Sequence, residues 1–170
     1  MCLIHRFHRP FRIAVEGNVG SGKTTFLRYF ESISPDVEVF PEPLDRWNDV
    51  GGLRLFTAKI RLIERSIHSN RYVFTEANRR NGVISDGDCK VIDEYYKWSC
   101  RLPIFKLDLI VYLRSPPEVC AKRIRIRQRK GEDSMSIEFL RELHRLHEEW
   151  LLGEFSEFRP APVVVSVSIS

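Results

Sequence analysis

The sequence has no C-x-x-C pair. Its four cysteines, Cys2, Cys89, Cys100 and Cys120, fall at spacings that match no zinc pattern. That excludes a zinc ribbon and a thioredoxin-like motif, and leaves reduced thiols in a reducing compartment as the plain reading. No apolar run is long enough to cross a bilayer as a helix. Glycine and proline number only nine each in 170 residues, and no tract of Gly, Pro or Ser forms a linker. No internal repeat and no low-complexity tract occurs, which excludes solenoids and biased, disordered segments. Acidic residues are missing from the first twelve positions, MCLIHRFHRPFR, which hold three arginines and two histidines. That composition suits a transit peptide, but the stretch is short and interrupted by Pro10; an untargeted amino terminus fits equally well.

What is present has the size and balance of one globular domain with a sizeable core: 43% hydrophobic and 29% charged residues. The net charge of +4 and the pI near 9.0 suit a phosphate-bearing ligand as well as a nucleic acid.

Apolar runs alternate with helical patterns. RIAVE (12–16), VEVF (37–40), IRLIE (60–64), LDLIVYL (107–113) and PVVVSVSI (162–169) read as strands. Residues 23–32, 67–81, 88–102 and 136–152 read as helices, the last amphipathic. Ser115, with Pro116 and Glu118 behind it, reads as the N-cap of a further helix. This alternation predicts an α/β fold with a parallel sheet and helices on both faces. The strand at 162–169 lies at the end of the sequence, with no helix after it to cover it.

Between the first strand and the first helix stands GNVGSGKTT. It fits G-x-x-x-x-G-K-[ST] through Gly17, Gly22, Lys23 and Thr24, in the strand–loop–helix setting that a phosphate-binding loop requires. The glycines let backbone N–H groups face a phosphate, and the helix amino terminus adds partial positive charge. Lys23 reaches the β- and γ-phosphates, and the Thr24 hydroxyl suits Mg²⁺. An N-K-x-D guanine motif is missing, which speaks against a switch GTPase.

PEPLDRW (41–47) follows the second strand, at the carboxyl ends of the strands, where ligands gather in parallel α/β folds. Glu42 there suits a base that takes a hydroxyl proton, and Trp47 offers a stacking face; a solvated loop glutamate is the alternative. Glu64 and Arg65 close the third strand. They suit a water-mediated magnesium contact and a group that orients Glu42, or equally a surface ion pair. Six basic residues lie between Lys122 and Lys130. Arg123 and Arg127 share a helical face with Arg129 beyond, though the Arg-Ile alternation would also suit a strand. The tract suits closure over a triphosphate; a solvated face and a nucleic-acid patch are the rivals. His144 and His147, three apart, read as packing and surface residues.

Taken together, IAVEGNVGSGKTT, EPLDRW, LIERSIHSNRY, DLIVYLRSPPEVC, RIRIRQR and LHRLHEEWL resemble the deoxyribonucleoside kinases, with ERSIHS closest to the mitochondrial thymidine kinase branch. They stand in family order and cover most of the chain. The resemblance implies a P-loop kinase fold, a five-stranded parallel sheet flanked by helices, over a single domain of residues 1–170, with 1–11 as a disordered or targeting terminus. It implies ATP-dependent phosphorylation of a deoxyribonucleoside, of the pyrimidine kind, at its 5′-hydroxyl. ATP and Mg²⁺ are the implied cofactors. A homodimer and a cytoplasmic or mitochondrial setting follow, with neither membrane nor nucleic acid as a partner.

The resemblance assigns roles residue by residue. Gly17, Asn18, Val19, Gly20, Ser21, Gly22, Lys23 and Thr24 bind ATP, together with Arg123, Arg127 and Arg129 of a lid. Glu42 is the base, with Arg65 beside it and Glu64 near Mg²⁺. Trp47, Asn70 and Glu148 face the nucleoside, Glu148 at the 3′-hydroxyl, although pattern alone would leave Glu148 on a solvated helix face. Two departures stand out. Only 17 positions separate Trp47 from Glu64, where the family carries a longer segment with a base-pairing glutamine and a sugar-contacting aromatic. The family's carboxy-terminal helix is also missing. A second expectation therefore stands beside the first: a nucleotide-binding remnant or isoform with an incomplete nucleoside pocket.

Overall fold

The computed structural model describes residues 9–42, 58–129, 131–132, 135–153 and 159–167. Five strands carry the sheet: β1 (Phe11–Glu16), β2 (Val37–Phe40), β3 (Ile60–Glu64), β4 (Leu109–Arg114) and β5 (Val163–Val167). Their order is β2-β3-β1-β4-β5, and each pairing is parallel. β1, which leads into the glycine loop, therefore sits at the centre. Its register sets Ala14 beside Ile110 and Ile63, and Val15 beside Val111 and Glu64.

Alternation along the strands sends side chains to two cores. Ala14, Ile110 and Tyr112 face one side, where they meet Val73, Leu143, Leu146, Trp150 and Leu151. Val15, Leu62 and Leu113 face the other and pack on Leu27. Buried on both faces, β1 and β4 read as continuous apolar runs for this reason. The first core is covered by α6 (Ile137–Leu151) and by the segment after β3; the second by α1 (Lys23–Ile33). β5 is an edge strand, with Val164, Val165 and Val167 exposed.

Three local expectations need correction. Residues 67–81 are not one α-helix but α2 (Ile67–Ser69), a π-helical segment Asn70–Thr75 and α3 (Glu76–Arg80). The wider π turn lets Val73, Tyr72 and Phe74 all reach the first core. The helix expected at 88–102 starts earlier, as α4 (Asp86–Cys100), because Ser85 and Asp88 form a reciprocal capping box. Ser115 is not an N-cap. α5 (Pro117–Arg127) begins one residue later than read, behind Pro116, and its start has no side-chain cap. Pro117 fills the first helical position, where a missing N–H costs nothing. The buried Ser115 hydroxyl turns instead to the carbonyl of Ser21 in the glycine loop, 3.5 Å away. The Arg-Ile alternation lies on this helix, not on a strand: Ile124 is buried while Ile126 is exposed.

Candidate active site

Two of the loop glycines are demanded by close approach. Gly17 has φ +143, and a Cβ on it would stand 2.6 Å from the Leu113 carbonyl oxygen. Gly20 has φ +78, and its Cβ would stand 2.8 Å from the Cys120 carbonyl oxygen. The loop is thus wedged between the end of β4 and the first turns of α5. Gly22, left-handed at φ 96, caps α1 without any side-chain hydrogen bond, so the first N–H groups of that helix keep their capacity for an anion.

Lys23 opens α1 and is buried. Its ammonium donates to the carbonyls of Asn18 (2.9 Å) and Gly17 (3.2 Å). Burial, with Arg65 nearby, pulls its pKa down to about 7. A polyanion at the loop would return it to full charge. Thr24 Oγ1 donates to the Glu64 carboxylate, 3.1 Å from each oxygen. This hydroxyl–carboxylate pair fits magnesium, a hard cation that takes one or two protein oxygens and completes its shell with phosphate and water. The described residues hold no cluster of three or more His, Cys, Asp or Glu suited to a metal.

Glu42 and Arg65 come together as the sequence suggested. Arg65 Nε donates to Glu42 Oε2 at 3.1 Å, and Nη1 donates to the Gly17 carbonyl at 3.3 Å. The guanidinium also lies 4.4 Å over the ring of Phe74. Arg65 has φ 64, a left-handed backbone that a residue with a side chain adopts only under constraint. One arginine thus ties the carboxylate behind β2 to the first residue of the phosphate loop.

The remaining expected residues divide. Asn18 is buried with its side chain turned away from the cradle: Nδ2 donates to the Leu140 carbonyl in α6 at 2.8 Å, and Oδ1 accepts from Val19 N. Val19 packs on the first core, and Ser21 is buried under Gly17. Arg123 lies one turn beyond Cys120, whose thiol feels both Arg123 and Lys23, so it borders the cradle. Arg127, at the end of α5, pairs with Glu132 at 2.5 Å. Arg129 follows the left-handed Gln128, off the helix. Asn70 is exposed at the start of the π segment. Trp47 lies outside the described residues, as does most of the short segment from 48 to 63. Glu148 is not on a solvated face. Arg114 grips both its oxygens (3.0 and 2.6 Å), and Tyr112 Oη donates to it at 2.7 Å.

Sequence reasoning missed Glu16, Tyr112 and Arg114. For Glu16 a signal existed: an acid at the carboxyl end of an apolar central strand is bound to be buried. It is fully buried, accepts from Ser66 Oγ at 2.6 Å, and burial lifts its pKa to about 7.

With this geometry in view, likeness to known proteins is informative. A family model described as deoxynucleoside kinase matches residues 13–55 and 52–169, two stretches that meet inside the short segment. Mitochondrial thymidine kinase 2 of Homo sapiens is 38% identical, covering 90% of this chain and 69% of its own. Deoxycytidine kinase 2 of Gallus gallus is 26% identical over 91% of this chain and 80% of its own. The 183 aligned positions of the first outnumber the 170 residues here, so that relative has residues with no counterpart in this chain. The chain belongs to the deoxynucleoside kinase family, whose members are phosphotransferases.

Proposed function

We propose that the chain transfers the γ-phosphoryl group of ATP to the 5′-hydroxyl of a deoxyribonucleoside of the pyrimidine class, as a step of nucleotide salvage. The observation that carries this reading is the Glu42–Arg65–Gly17 connection, which sets a carboxylate beside the phosphate loop. Glu42 takes the hydroxyl proton as the 5′-oxygen attacks the γ-phosphorus, and ADP leaves on the far side. Lys23 exchanges its two carbonyl partners for phosphate oxygens. Arg123, Arg127 and Arg129 neutralise charge on the transferring group. Thr24 and Glu64 would hold Mg²⁺, which supplies charge neutralisation at the β- and γ-phosphates. Trp47 and Asn70 are assigned to the nucleoside on family resemblance. Glu148 is assigned to the sugar hydroxyl on the same resemblance; Tyr112 and Arg114 Nε occupy its Oε1, while Oε2 accepts only from Arg114 Nη2 and keeps a lone pair for a hydroxyl. A homodimer and a mitochondrial or cytoplasmic setting belong to the same proposal.

The test is phosphorylation of each of the four deoxynucleosides with ATP and Mg²⁺, with Glu42→Gln as control. The substitution is expected to cut kcat at least ~100-fold with little change in KM for ATP. Near-normal turnover in that variant would remove Glu42 from the role of base. A second reading is favoured by the two-stretch family match and the unmatched residues of the relative: ATP binding without a working nucleoside pocket. Calorimetric binding of ATP by a chain that phosphorylates none of the four would select it.

A further inference from the structure

Glu16 has no part in the transfer just described, yet it is the most deeply buried carboxylate beside the site. Neither Oε1 nor Oε2 sees solvent; Oε1 accepts from Ser66 Oγ and Oε2 finds no protein partner among the described residues. Burying a carboxyl group in this way costs stability. Its surroundings show what the group does in return.

Ser66 is a hub. Its hydroxyl proton goes to Glu16, and its oxygen accepts from the N–H groups of His68 (3.2 Å) and Ser69 (3.4 Å), which caps α2. Ser69 closes the box, donating to the Ser66 carbonyl and accepting from Ser66 N. Immediately before this hub stands Arg65, at φ 64. Its own N–H is held by the Val15 carbonyl at 3.0 Å. The strained residue is therefore clamped on both sides by β1: at its nitrogen by Val15, and at the next residue by Glu16. A left-handed backbone at a side-chain-bearing residue is strained, and it persists only where neighbours over-determine it.

We infer that Glu16 is a positioning residue that, through Ser66, holds the strained Arg65 turn in register with the phosphate loop. Glu16 directly precedes Gly17, so the same residue anchors both walls of the site: the loop by covalent continuity and the Arg65 turn by hydrogen bond. Without the acceptor, the turn relaxes towards an ordinary backbone, and the guanidinium leaves Glu42 and the Gly17 carbonyl.

The kinetic arm of the test rests on the phosphoryl-transfer reading above; the structural arm does not. Glu16→Met removes the acceptor at similar volume, and Glu16→Gln keeps it. In a crystal structure of the Met variant, Arg65 is expected at negative φ with Nε out of reach of Glu42, while the Gln variant keeps both features. In kinetics, the Met variant should lose ~10–100-fold in kcat, with KM for ATP within about threefold of the parent, and the Gln variant should recover most of the loss. If the Met variant does not fold, Ser66→Ala serves in its place, with the same displacement expected at Arg65. An unmoved Arg65 in Glu16→Met or in Ser66→Ala overturns the inference. So does a Gln variant as impaired as the Met one, since that would assign the role to charge. A parent chain that phosphorylates nothing would defeat the kinase reading alone, because the position of Arg65 still decides the role of Glu16.

Discussion

Gly20 and Gly22 both have left-handed backbones, but for different reasons. At Gly20 a Cβ would meet the Cys120 carbonyl at 2.8 Å and Ile124 Cγ1 at 3.2 Å. At Gly22 a Cβ would meet nothing within 4 Å. Alanine at Gly22 therefore bears only the conformational cost, about 1–2 kcal/mol. Alanine at Gly20 adds a clash with helix backbone that no rotamer relieves, and α5 must shift. Urea denaturation of the two variants should show Gly20→Ala the less stable by at least ~1 kcal/mol. Equal losses would mean that the loop and α5 are not in this close contact.

Among elements, the junction between the phosphate loop and α6 rests on Asn18. Its amide bridges the Val19 N–H and the Leu140 carbonyl, fully out of water. Asn18→Ala should cost about 1–3 kcal/mol and weaken ATP binding in calorimetry, although the amide points away from the cradle. Asn18→Asp should be worse, because it sets a carboxylate oxygen against the Leu140 carbonyl. An Asp variant as stable as the parent would remove Asn18 from this joint. Nothing in GNVGSGKTT reveals that partner, because Leu140 lies 122 residues away. The same limit explains Glu148 on α6, whose partners Tyr112 and Arg114 come from β4. β1 and β4 were legible because burial on both faces leaves an unbroken apolar run. The glycine loop was legible because its chemistry is local, and Glu42 and Arg65 because each stands just past the carboxyl end of a strand of a parallel sheet. The π segment was not, since Tyr72, Val73 and Phe74 fit a helical pattern and only their joint contact with the first core widens the turn. The Ser115 cap was misread because a proline pair allows two starts, and packing against the loop chose the later one.

At the scale of the whole molecule, the buried titratable groups set how stability varies with pH. His68 and His147 are buried, which pulls their pKa values to about 4 and about 3. Between those values and the ordinary histidine range near 6.5, the unfolded chain binds up to two protons that the folded chain refuses, so stability falls as the solution is acidified. Glu16 acts the other way. With its pKa raised to about 7, the folded chain keeps a proton there that the unfolded chain releases above about 4.5. The histidines outnumber it, leaving a net difference of about one proton near pH 5.5, or about 1.4 kcal/mol lost per pH unit on acidification. Above neutrality Lys23 takes over. Its folded pKa near 7 lies below the ordinary lysine value of 10.5, so the unfolded chain holds the extra proton and stability rises with pH. The Cys120 thiol, raised to about 11 by burial, opposes this rise from about pH 9 upward. Urea midpoints should therefore climb from pH 5.5 through 7 to 8.5. In Lys23→Met the climb above pH 7 should vanish while the acid limb stays, and ATP binding should fall as the apolar chain loses its phosphate partner. A Lys23→Met variant that keeps the alkaline rise would show that the lysine is not held neutral in the fold, and the rise would then belong to another group.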